Sequence, residues 1–400
     1  MTHPSLSIKR AAVLGAGVMG AQIAAHFTAA GIPVDLYDLP ADSGPKSKIA
    51  EAGKQRLVKL KPAPLANPSL VHGIRALNFD DDLDQLKHVD LVIEAVAERM
   101  DIKRDLYGKV VPNLGEHTIF ASNTSGLSIT QLAKELPEDR RAHFCGVHFF
   151  NPPRYMHLVE LIPHAGTASQ LLDQLEQFLT QNLGKGVVRA KDTANFIANR
   201  VGVFTMWSTM AHAERLNLGF DTVDALTGPA IGRPKSATFR LADVVGLDTM
   251  GNVIKTMHDL LADDPWHGLY QAPDWLEGLL KAGALGQKAG AGVFKKVGKD
   301  ISVFDPKLGD YRETDYGLPE SIQAILKIKD PGEKLTALAK CETPEAEFLW
   351  SIHRDLFHYC AYHLKDIANS AREVDQAICW GYGWKQGPFE QWQAAGWQHV

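Results

Sequence analysis

The chain has 400 residues, which is too long for one hydrophobic core, so we expect two or three domains. With 45% hydrophobic and 22% charged residues it has the composition of a soluble globular protein, and a net charge of −5 argues against nucleic acid or an anionic membrane as a partner. No apolar run reaches transmembrane length. The four cysteines form no C-x-x-C pair, which favours a reducing cytoplasm.

The first clear pattern is a glycine-rich turn between an apolar run and a helical pattern. The run Ala11–Leu14 leads into Gly15, Gly17 and Gly20, spaced G-x-G-x-x-G, and a second apolar run ends on Asp38. The first glycine permits a tight turn, the second lets the backbone approach a pyrophosphate, and the third lets helix and strand pack closely. The helix N-terminus offers N–H groups and positive dipole to phosphates. The sequence thus predicts a dinucleotide site, and the alternative is a purely structural glycine turn.

The acidic residue after the second run indicates which dinucleotide is expected. Asp38 lies 18 positions after Gly20, where a carboxylate can bind the 2′-hydroxyl of the adenine ribose. The same charge would repel the 2′-phosphate of NADP, so we expect NAD. Val18 and Met19 complete the fingerprint and are included in the predicted cofactor site.

A lysine-rich segment at 43–61 comes next and has the composition of a helix. Lys54 and Lys61 are seven residues apart, so on one helix they would share a face. Two interpretations stay open. The segment is either a solvated helix or a cationic surface for a phosphorylated substrate, because lysine is a good point-charge partner for phosphate.

Apolar runs and helical patterns alternate up to about residue 190. Further strands are predicted at 89–96, 118–122, 142–147, 157–162 and 186–189. The alternation predicts an α/β domain over residues 1–190, with a mostly parallel, doubly wound sheet of the Rossmann type. Glu98 and Ser125 lie just beyond two of these strands, at the sheet edge where ligands bind.

The remaining sequence is mostly helical and contains a repeat. Asp224 and Gly232 recur as Asp375 and Gly383, both pairs 151 residues apart. A hairpin is expected at 301–312, between the two copies. The predicted divisions are an all-α C-terminal domain, a connector and a second, partial helical repeat: 191–297, 298–343 and 344–400.

Candidate acid–base residues appear near the end of the first domain. His148 follows a strand, and Glu160 lies 12 positions later on the adjoining strand. Hydride transfer from an alcohol to NAD needs a base, and a neutral imidazole suits this role. A carboxylate on the other ring nitrogen fixes the tautomer. Ser125 and Asn199 could hold substrate oxygens, although chemistry alone does not choose among sixteen histidines.

Six segments resemble the 3-hydroxyacyl-CoA dehydrogenase family of fatty-acid β-oxidation, in order and spacing, over nearly the whole chain. They are VLGAGVMGAQIAAHFTAAG, LVIEAVAERMDIK, ASNTSGLSIT, GVHFFNPPRYMHLVELI, KDTANFIANRV and KAGAGVFK. The resemblance implies that His148 is the general base or acid on the substrate hydroxyl and that Glu160 orients it. It also implies that Ser125 and Asn199 belong to the catalytic group and position the substrate.

The same resemblance extends to the cofactor and substrate sites. It implies that the NAD site includes Asp38 and four further polar residues, which are Glu98, Lys103, Asn123 and Lys288. Asn151, Lys54 and Lys61 are predicted to contact the coenzyme A substrate together with Ser125. The chain departs from the family at Asn195, where the family usually has glycine, and in the first copy of a P-x-G-P-F pattern.

These observations predict NAD-dependent oxidation of (S)-3-hydroxyacyl-CoA to 3-oxoacyl-CoA by a cytoplasmic enzyme. The expected cofactor is NAD, no metal is expected, and the expected partner is an acyl-CoA thioester. The alternatives are another Rossmann 3-hydroxyacid dehydrogenase and a non-catalytic NAD-binding protein. Because short family members are similar in dimerising through the helical domain, a chain with two copies is either a pseudo-dimeric monomer or a homodimer.

Overall fold

The chain divides into two compact units in the computed structural model, which describes residues 6–400. Among the described residues, one unit is 6–196 with Asp366–Asn369, and the other is Ile197–Lys365 with Ser370–Val400. The first boundary therefore falls six residues beyond the one expected from the sequence. The three segments predicted after residue 190 belong almost entirely to the second unit. The exceptions are 191–196 and Asp366–Asn369, which belong to the first.

The first unit is an eight-stranded sheet with helices between its strands. Its elements are β1 (Ala11–Leu14), α1 (Val18–Ala29), β2 (Val34–Asp38), α2 (Lys48–Arg56), β3 (Ile74–Asn78), β4 (Leu91–Glu94), α3 (Met100–Val110), β5 (Ile119–Ser122), α4 (Ile129–Lys134), α5 (Glu138–Arg141), β6 (Phe144–Phe149), β7 (Leu158–Ile162), α6 (Ser169–Gln181) and β8 (Gly186–Arg189). The strand order is β3-β2-β1-β4-β5-β6-β7-β8. Neighbours are parallel except β6 and β7, which are antiparallel. The predicted doubly wound α/β architecture is confirmed.

The central strands form the core of this unit. Every residue of β1, β4, β5, β6 and β7 is buried, as expected for strands covered on both faces by helices. The edge strand β3 was not predicted, because its short apolar pattern is interrupted by Arg75, which pairs with Asp35 of β2 at 2.8 Å. Strand β4 is shorter than expected, since Glu94 accepts the N–H of Val96 at 2.9 Å where the chain turns.

The second unit is mainly helical. Its elements are α7 (Ala198–Arg215), α8 (Phe220–Leu226), α9 (Phe239–Val245), α10 (Leu247–Leu260), α11 (Asp274–Lys281), β9 (Phe294–Val297), β10 (Asp300–Asp305), β11 (Asp310–Glu313), α12 (Glu320–Leu326), α13 (Pro331–Lys340), α14 (Pro344–Ile367, whose last two residues belong to the first unit), α15 (Ala371–Tyr382) and α16 (Pro388–Ala394). The predicted hairpin is the antiparallel pair β10–β11, and β9 joins it to form a three-stranded sheet.

The repeat is visible in the hydrogen bonds of the two copies. Asp224 on α8 accepts two N–H groups at the start of α9, at 2.7 and 2.9 Å. Asp375 on α15 accepts two at the start of α16, at 2.8 and 3.0 Å. Gly232 and Gly383 both adopt left-handed conformations, with φ of 78° and 68°. Helices α15 and α16 therefore repeat the arrangement of α8 and α9.

The two copies also meet through equivalent positions. The Arg233 guanidinium lies 4.1 Å from the centre of the Trp384 ring, and these residues are 151 positions apart, like the other repeat partners. Beside them the backbone N–H of Lys385 donates to the carbonyl of Gly232 at 2.9 Å. A position that contacts its own counterpart is what a local two-fold relation between the copies would produce.

Candidate functional site

The glycine turn after β1 depends on two glycines for its shape and leaves space at the third. Gly15 has φ of 102°, and an added Cβ would lie 2.7 Å from the carbonyl oxygen of Ala95. An added Cβ at Gly20 would lie 1.8 Å from the carbonyl oxygen of Gly15. At Gly17 it would meet no atom within 4 Å. Gly15 and Gly20 therefore serve the fold, whereas the open surface at Gly17 fits the approach of a ligand.

Helix α1 begins at this open surface. Gly17 is its N-cap residue, and no side chain caps the helix. Val18 is 63% exposed, and Met19 is half-buried. The first N–H groups of a helix have no intrahelical partner, so this end suits a phosphate.

Asp38, at the end of β2, is bonded to the glycine turn. Its carboxylate accepts the N–H of Ala16 at 2.6 Å and that of Leu39 at 2.7 Å. Arg56 of α2 donates to the carbonyl of Ala16 at 2.9 Å. Asp38 therefore orders the turn in addition to its predicted ribose contact. Sequence reasoning missed Arg56, and the only available signal was its place in the lysine-rich segment.

The lysine-rich segment differs from the expectation. Lys54 lies on α2 and pairs with Glu51 at 3.4 Å, whereas α2 ends at Arg56 and the exposed Lys61 lies beyond it. The prediction that Lys54 and Lys61 share a helix face is wrong. Pro62 explains part of the difference, because a proline disfavours helical conformation in the residue before it.

Glu98 connects the segment after β4 to the segment after β5. It accepts the N–H of Ser125 at 2.8 Å, the hydroxyl of Thr124 at 2.5 Å and the N–H of Gly126 at 3.0 Å. Burial opposes ionisation of Glu98, but the Lys103 charge and these donors outweigh it, so its pKa is lowered. Ser125 itself is exposed. The two predicted site residues are thus held together as one group.

Lys103 lies beneath this group. Its ammonium is 2.6 and 2.8 Å from the two carboxylate oxygens of Glu94 and 3.6 Å from Glu98, and its side chain is 1% exposed. Glu94 also accepts the hydroxyls of Tyr107 and Ser122, at 3.0 and 2.7 Å. The predicted contact of Lys103 with NAD stays a prediction. Since its ammonium lies between the buried Glu94 and the partly exposed Glu98, it supports Glu98 from the interior side.

Two asparagines fix the ends of neighbouring elements. Asn123 accepts the backbone N–H of Phe149 at 2.8 Å, which ties the end of β5 to the end of β6. Asn151, predicted to contact substrate, is exposed and accepts a hydrogen bond from Gln22 of α1 at 3.1 Å. Asn123 therefore orders the edge of the sheet, and its predicted NAD contact stays a prediction, as does the substrate contact of Asn151.

His148 and Glu160 form a direct pair. They are register partners across β6 and β7, and the distance from His148 Nδ1 to Glu160 Oε2 is 2.8 Å. Both side chains are buried, and the Phe150 ring lies 4.4 Å from the imidazole. Because the carboxylate accepts the Nδ1 proton, the neutral imidazole presents Nε2 as its basic nitrogen. This is the arrangement that a general base needs.

The departure at Asn195 is explained by the backbone. Asn195 has φ of 60°, in the left-handed region where glycine is least strained. Asparagine tolerates this region better than most other residues, so it can replace a glycine there. The next residue, Phe196, also has positive φ, and its ring centre lies 5.7 Å from that of His148.

Two predicted site residues belong to the second unit. Asn199 is half-buried near the start of α7. Lys288 forms an ion pair with Asp248, at 2.6 and 2.7 Å from its carboxylate oxygens. Their contacts with substrate and NAD stay predictions.

Within residues 6–400, no helix is both long and apolar enough to cross a membrane. The same stretch contains no group of three or more His, Cys, Asp or Glu side chains that could bind a metal ion.

Comparison with known families tests the assignment. Residues 10–193 match the NAD binding domain of 3-hydroxyacyl-CoA dehydrogenase, and residues 196–296 match its C-terminal domain. The chain belongs to the 3-hydroxyacyl-CoA dehydrogenase family. The family match also supports NAD as the cofactor of the first unit, as the acid at Asp38 predicts.

Similar proteins cover nearly the whole chain. A probable 3-hydroxyacyl-CoA dehydrogenase of Bacillus subtilis is 39% identical, over 97% of this chain and 51% of that protein. A putative fatty acid oxidation complex trifunctional enzyme of Rickettsia felis is 33% identical, over 98% of this chain and 54% of that protein. The chain thus spans about half the length of these two relatives. The structure of 3-hydroxybutyryl-CoA dehydrogenase from Escherichia coli K12 has a TM-score of 0.73 at 23% identity, covering 98% of this chain and 93% of that one, which shows the shared fold.

Proposed function

We propose that this member of the 3-hydroxyacyl-CoA dehydrogenase family oxidises (S)-3-hydroxyacyl-CoA to 3-oxoacyl-CoA with NAD, in fatty-acid β-oxidation. The observation that carries the proposal is the 2.8 Å contact between His148 and Glu160, near the carboxyl end of β6 in the sheet that also bears the glycine turn. The family assignment supports the substrate class. The name of the Rickettsia relative supports the pathway.

The residues of the first unit have distinct roles in the proposed reaction. Nε2 of His148 takes the proton from the substrate 3-hydroxyl as the carbonyl forms, and Glu160 holds the ring and stabilises the resulting imidazolium. Ser125, held by Glu98, donates its hydroxyl to a substrate oxygen. NAD, when bound, supplies the hydride acceptor, and the residues that fit it are the open surface at Gly17 and the carboxylate of Asp38.

The remaining predicted contacts complete the proposal. Asn199 positions the substrate, and Lys288 and Asn123 contribute to the NAD site. Lys54 and Lys61 are the candidate partners of the coenzyme A phosphates, and Asn151 is a further candidate contact of the substrate. Each assignment follows the family resemblance, and each is testable by a single substitution with KM for the two ligands as the readout.

An assay of NADH oxidation with acetoacetyl-CoA tests the proposed function. We expect turnover with NADH and little with NADPH. Turnover with free 3-oxo acids but not with the thioester would instead favour another hydroxyacid dehydrogenase. Tight NADH binding without turnover of any of these compounds would favour a non-catalytic NAD-binding protein.

We further propose that the chain is a pseudo-dimeric monomer. The contact between Arg233 and Trp384 supports this, because it joins equivalent positions of the two copies, as an interface with two-fold symmetry would. Light scattering should give a mass near the chain mass of 43.9 kDa. A stable dimer at the same concentrations would contradict the proposal.

We place the protein in the cytoplasm. All four cysteines are free thiols: Cys145, Cys341, Cys360 and Cys379. Unpaired thiols favour a reducing compartment. Fractionation of cells producing the protein from its own gene, followed by immunoblotting, would test this.

A further inference from the structure

A buried lysine outside the proposed acid–base pair holds the segment that follows His148. Lys185 lies just before β8 and is 3% exposed. Its ammonium donates to the carbonyl of Pro153 and to that of Met156, the latter at 2.9 Å. The Phe149 ring centre lies 5.9 Å from the same nitrogen. Burying an ammonium is costly unless its donors are used, and here two carbonyls of one loop use them.

The loop at 150–156, between β6 and β7, is anchored at three places. Asn151 bonds to Gln22 at 3.1 Å. Arg154 and Tyr155 both donate to the carbonyl of Ala63 at 2.9 Å, at an exposed position. Lys185 supplies the third anchor and is the buried one. It draws together two carbonyls three residues apart, so it fixes the fold of the loop itself.

This loop begins two residues after His148, the candidate general base. Phe150 is its first residue, and the ring lies 4.4 Å from the His148 imidazole. A change in the backbone of the loop would therefore alter what covers His148. The loop also carries Asn151, so the substrate side of the site would change with it.

We propose that Lys185 is a positioning residue for the dehydrogenase reaction, which holds the loop at 150–156 so that Phe150 packs on His148. The inference rests on the proposed function, since it assigns Lys185 a role in that turnover. Lys185 acts through the loop and touches neither substrate nor cofactor.

The charged surroundings of Lys185 agree with a positional role. Burial lowers the pKa of Lys185 to about 8. His26 of α1, which bonds to the carbonyl of Leu183, has a pKa lowered to about 4 by burial and by the Lys185 charge. Arg154 is a further nearby cation that acts on His26. The hydrogen-bond acceptors that Lys185 uses are carbonyls of the loop.

The experiment compares Lys185→Met with Lys134→Met, which alters an exposed lysine of α4. With acetoacetyl-CoA and NADH, we expect Lys185→Met to lower kcat by about 10- to 100-fold, the effect of a misplaced catalytic group. The Kd of NADH should stay within about twofold of wild type, because Lys185 is not assigned to the NAD site. Lys134→Met should leave every parameter unchanged.

A double-mutant cycle with Phe150→Ala separates positioning from general destabilisation. If Lys185 acts through Phe150, its effect on kcat should shrink in the Phe150→Ala background, because coupled residues are not additive. Lys185→Gln provides the same comparison if the methionine variant does not fold. Full additivity, or wild-type kcat in the lysine variants, would overturn the inference while leaving the proposed function intact. An inactive wild-type protein would refute both.

Discussion

Nδ1 of His148 lies 2.8 Å from Oε2 of Glu160, and the two residues are register partners on the antiparallel strands β6 and β7. The distance between them is therefore set by the ladder of the sheet, which leaves little freedom to either side chain. Such a pair needs no rearrangement to orient the ring before proton transfer.

Replacing the imidazole tests its role as base. His148→Gln should lower kcat with acetoacetyl-CoA by about 10²- to 10⁴-fold, the usual contribution of a general acid or base. NADH binding, measured by fluorescence titration, should be retained. Wild-type turnover in this variant would refute the assignment.

Replacing the carboxylate tests how His148 is oriented. Glu160→Gln removes the negative charge and presents an amide that can donate to Nδ1, which favours the wrong tautomer. Because the imidazolium loses its partner, we expect kcat to fall by about 10²- to 10⁴-fold, as for other carboxylate-oriented histidines. The KM of NADH should change little, because Glu160 is not assigned to the NAD site. Equal kcat values for variant and wild type would show that the contact is structural.

Alanine substitutions at two glycines of the same turn should affect different properties, one the thermal stability and the other NADH binding. Gly20→Ala should lower the thermal midpoint, because its Cβ would lie 1.8 Å from the carbonyl oxygen of Gly15 and overpacking costs about 1–3 kcal/mol. Gly17→Ala meets no atom within 4 Å, so it should fold normally yet weaken NADH binding at least about tenfold by blocking the pyrophosphate. Circular dichroism and NADH titration measure the two effects. Normal NADH affinity in a folded Gly17→Ala protein would contradict the proposed binding mode.

Asp38 should control the choice of cofactor. Asp38→Ala should reduce the preference for NADH over NADPH by roughly tenfold or more, since a hydrogen bond to a charged group contributes about 1.5–3 kcal/mol. Asp38→Asn is the matched control, because its amide oxygen can still accept the N–H of Ala16. We expect it to keep the turn ordered while also losing selectivity. An unchanged ratio of kcat/KM values in both variants would exclude the ribose contact.

Glu98 should make the stability of the folded protein depend on pH in the acidic range. Its pKa is lowered in the folded protein, so the carboxylate stabilises the fold at neutral pH, and this contribution is lost as the pH falls below the usual glutamate pKa of 4.5. Because the Glu98 side chain is 40% exposed, solvent screens its interactions, and Glu98→Gln should be less stable than wild type at pH 7 by about 1 kcal/mol or less. The gap should narrow toward pH 3 in thermal unfolding followed at both pH values. Glu116→Gln, at an exposed position, is the control, and a gap that stays constant with pH would refute the effect.

The sequence predicted most of the first unit because its signals are local. The apolar runs at β1, β4 and β6 form buried strands, and the glycine spacing marks the turn that joins β1 to α1. The pair of His148 and Glu160 was predicted from strand adjacency together with the family resemblance. The structure adds their register, which depends on hydrogen bonds between strands and has no signature in either segment.

What the sequence did not predict concerns side chains whose environment is created by folding. The buried position of Lys103 between the carboxylates of Glu94 and Glu98 has no signature near Lys103 in the chain. The end of α2 at Arg56, before Lys61, depends on the turn that precedes Pro62. No local pattern predicted the role of Lys185, because the carbonyls that accept its hydrogen bonds lie about 30 positions earlier in the chain.

The contact between Arg233 and Trp384 is one that two identical chains could not form at equivalent positions. In a dimer of identical chains, a residue on the axis must tolerate its own copy, and two facing arginines would repel each other. Once both copies are encoded in one polypeptide, the two positions can diverge independently. A cation can then stack on an aromatic ring, a combination that strict symmetry forbids. The two copies in this chain therefore present two different side chains to each other where a symmetric pair would present the same one twice.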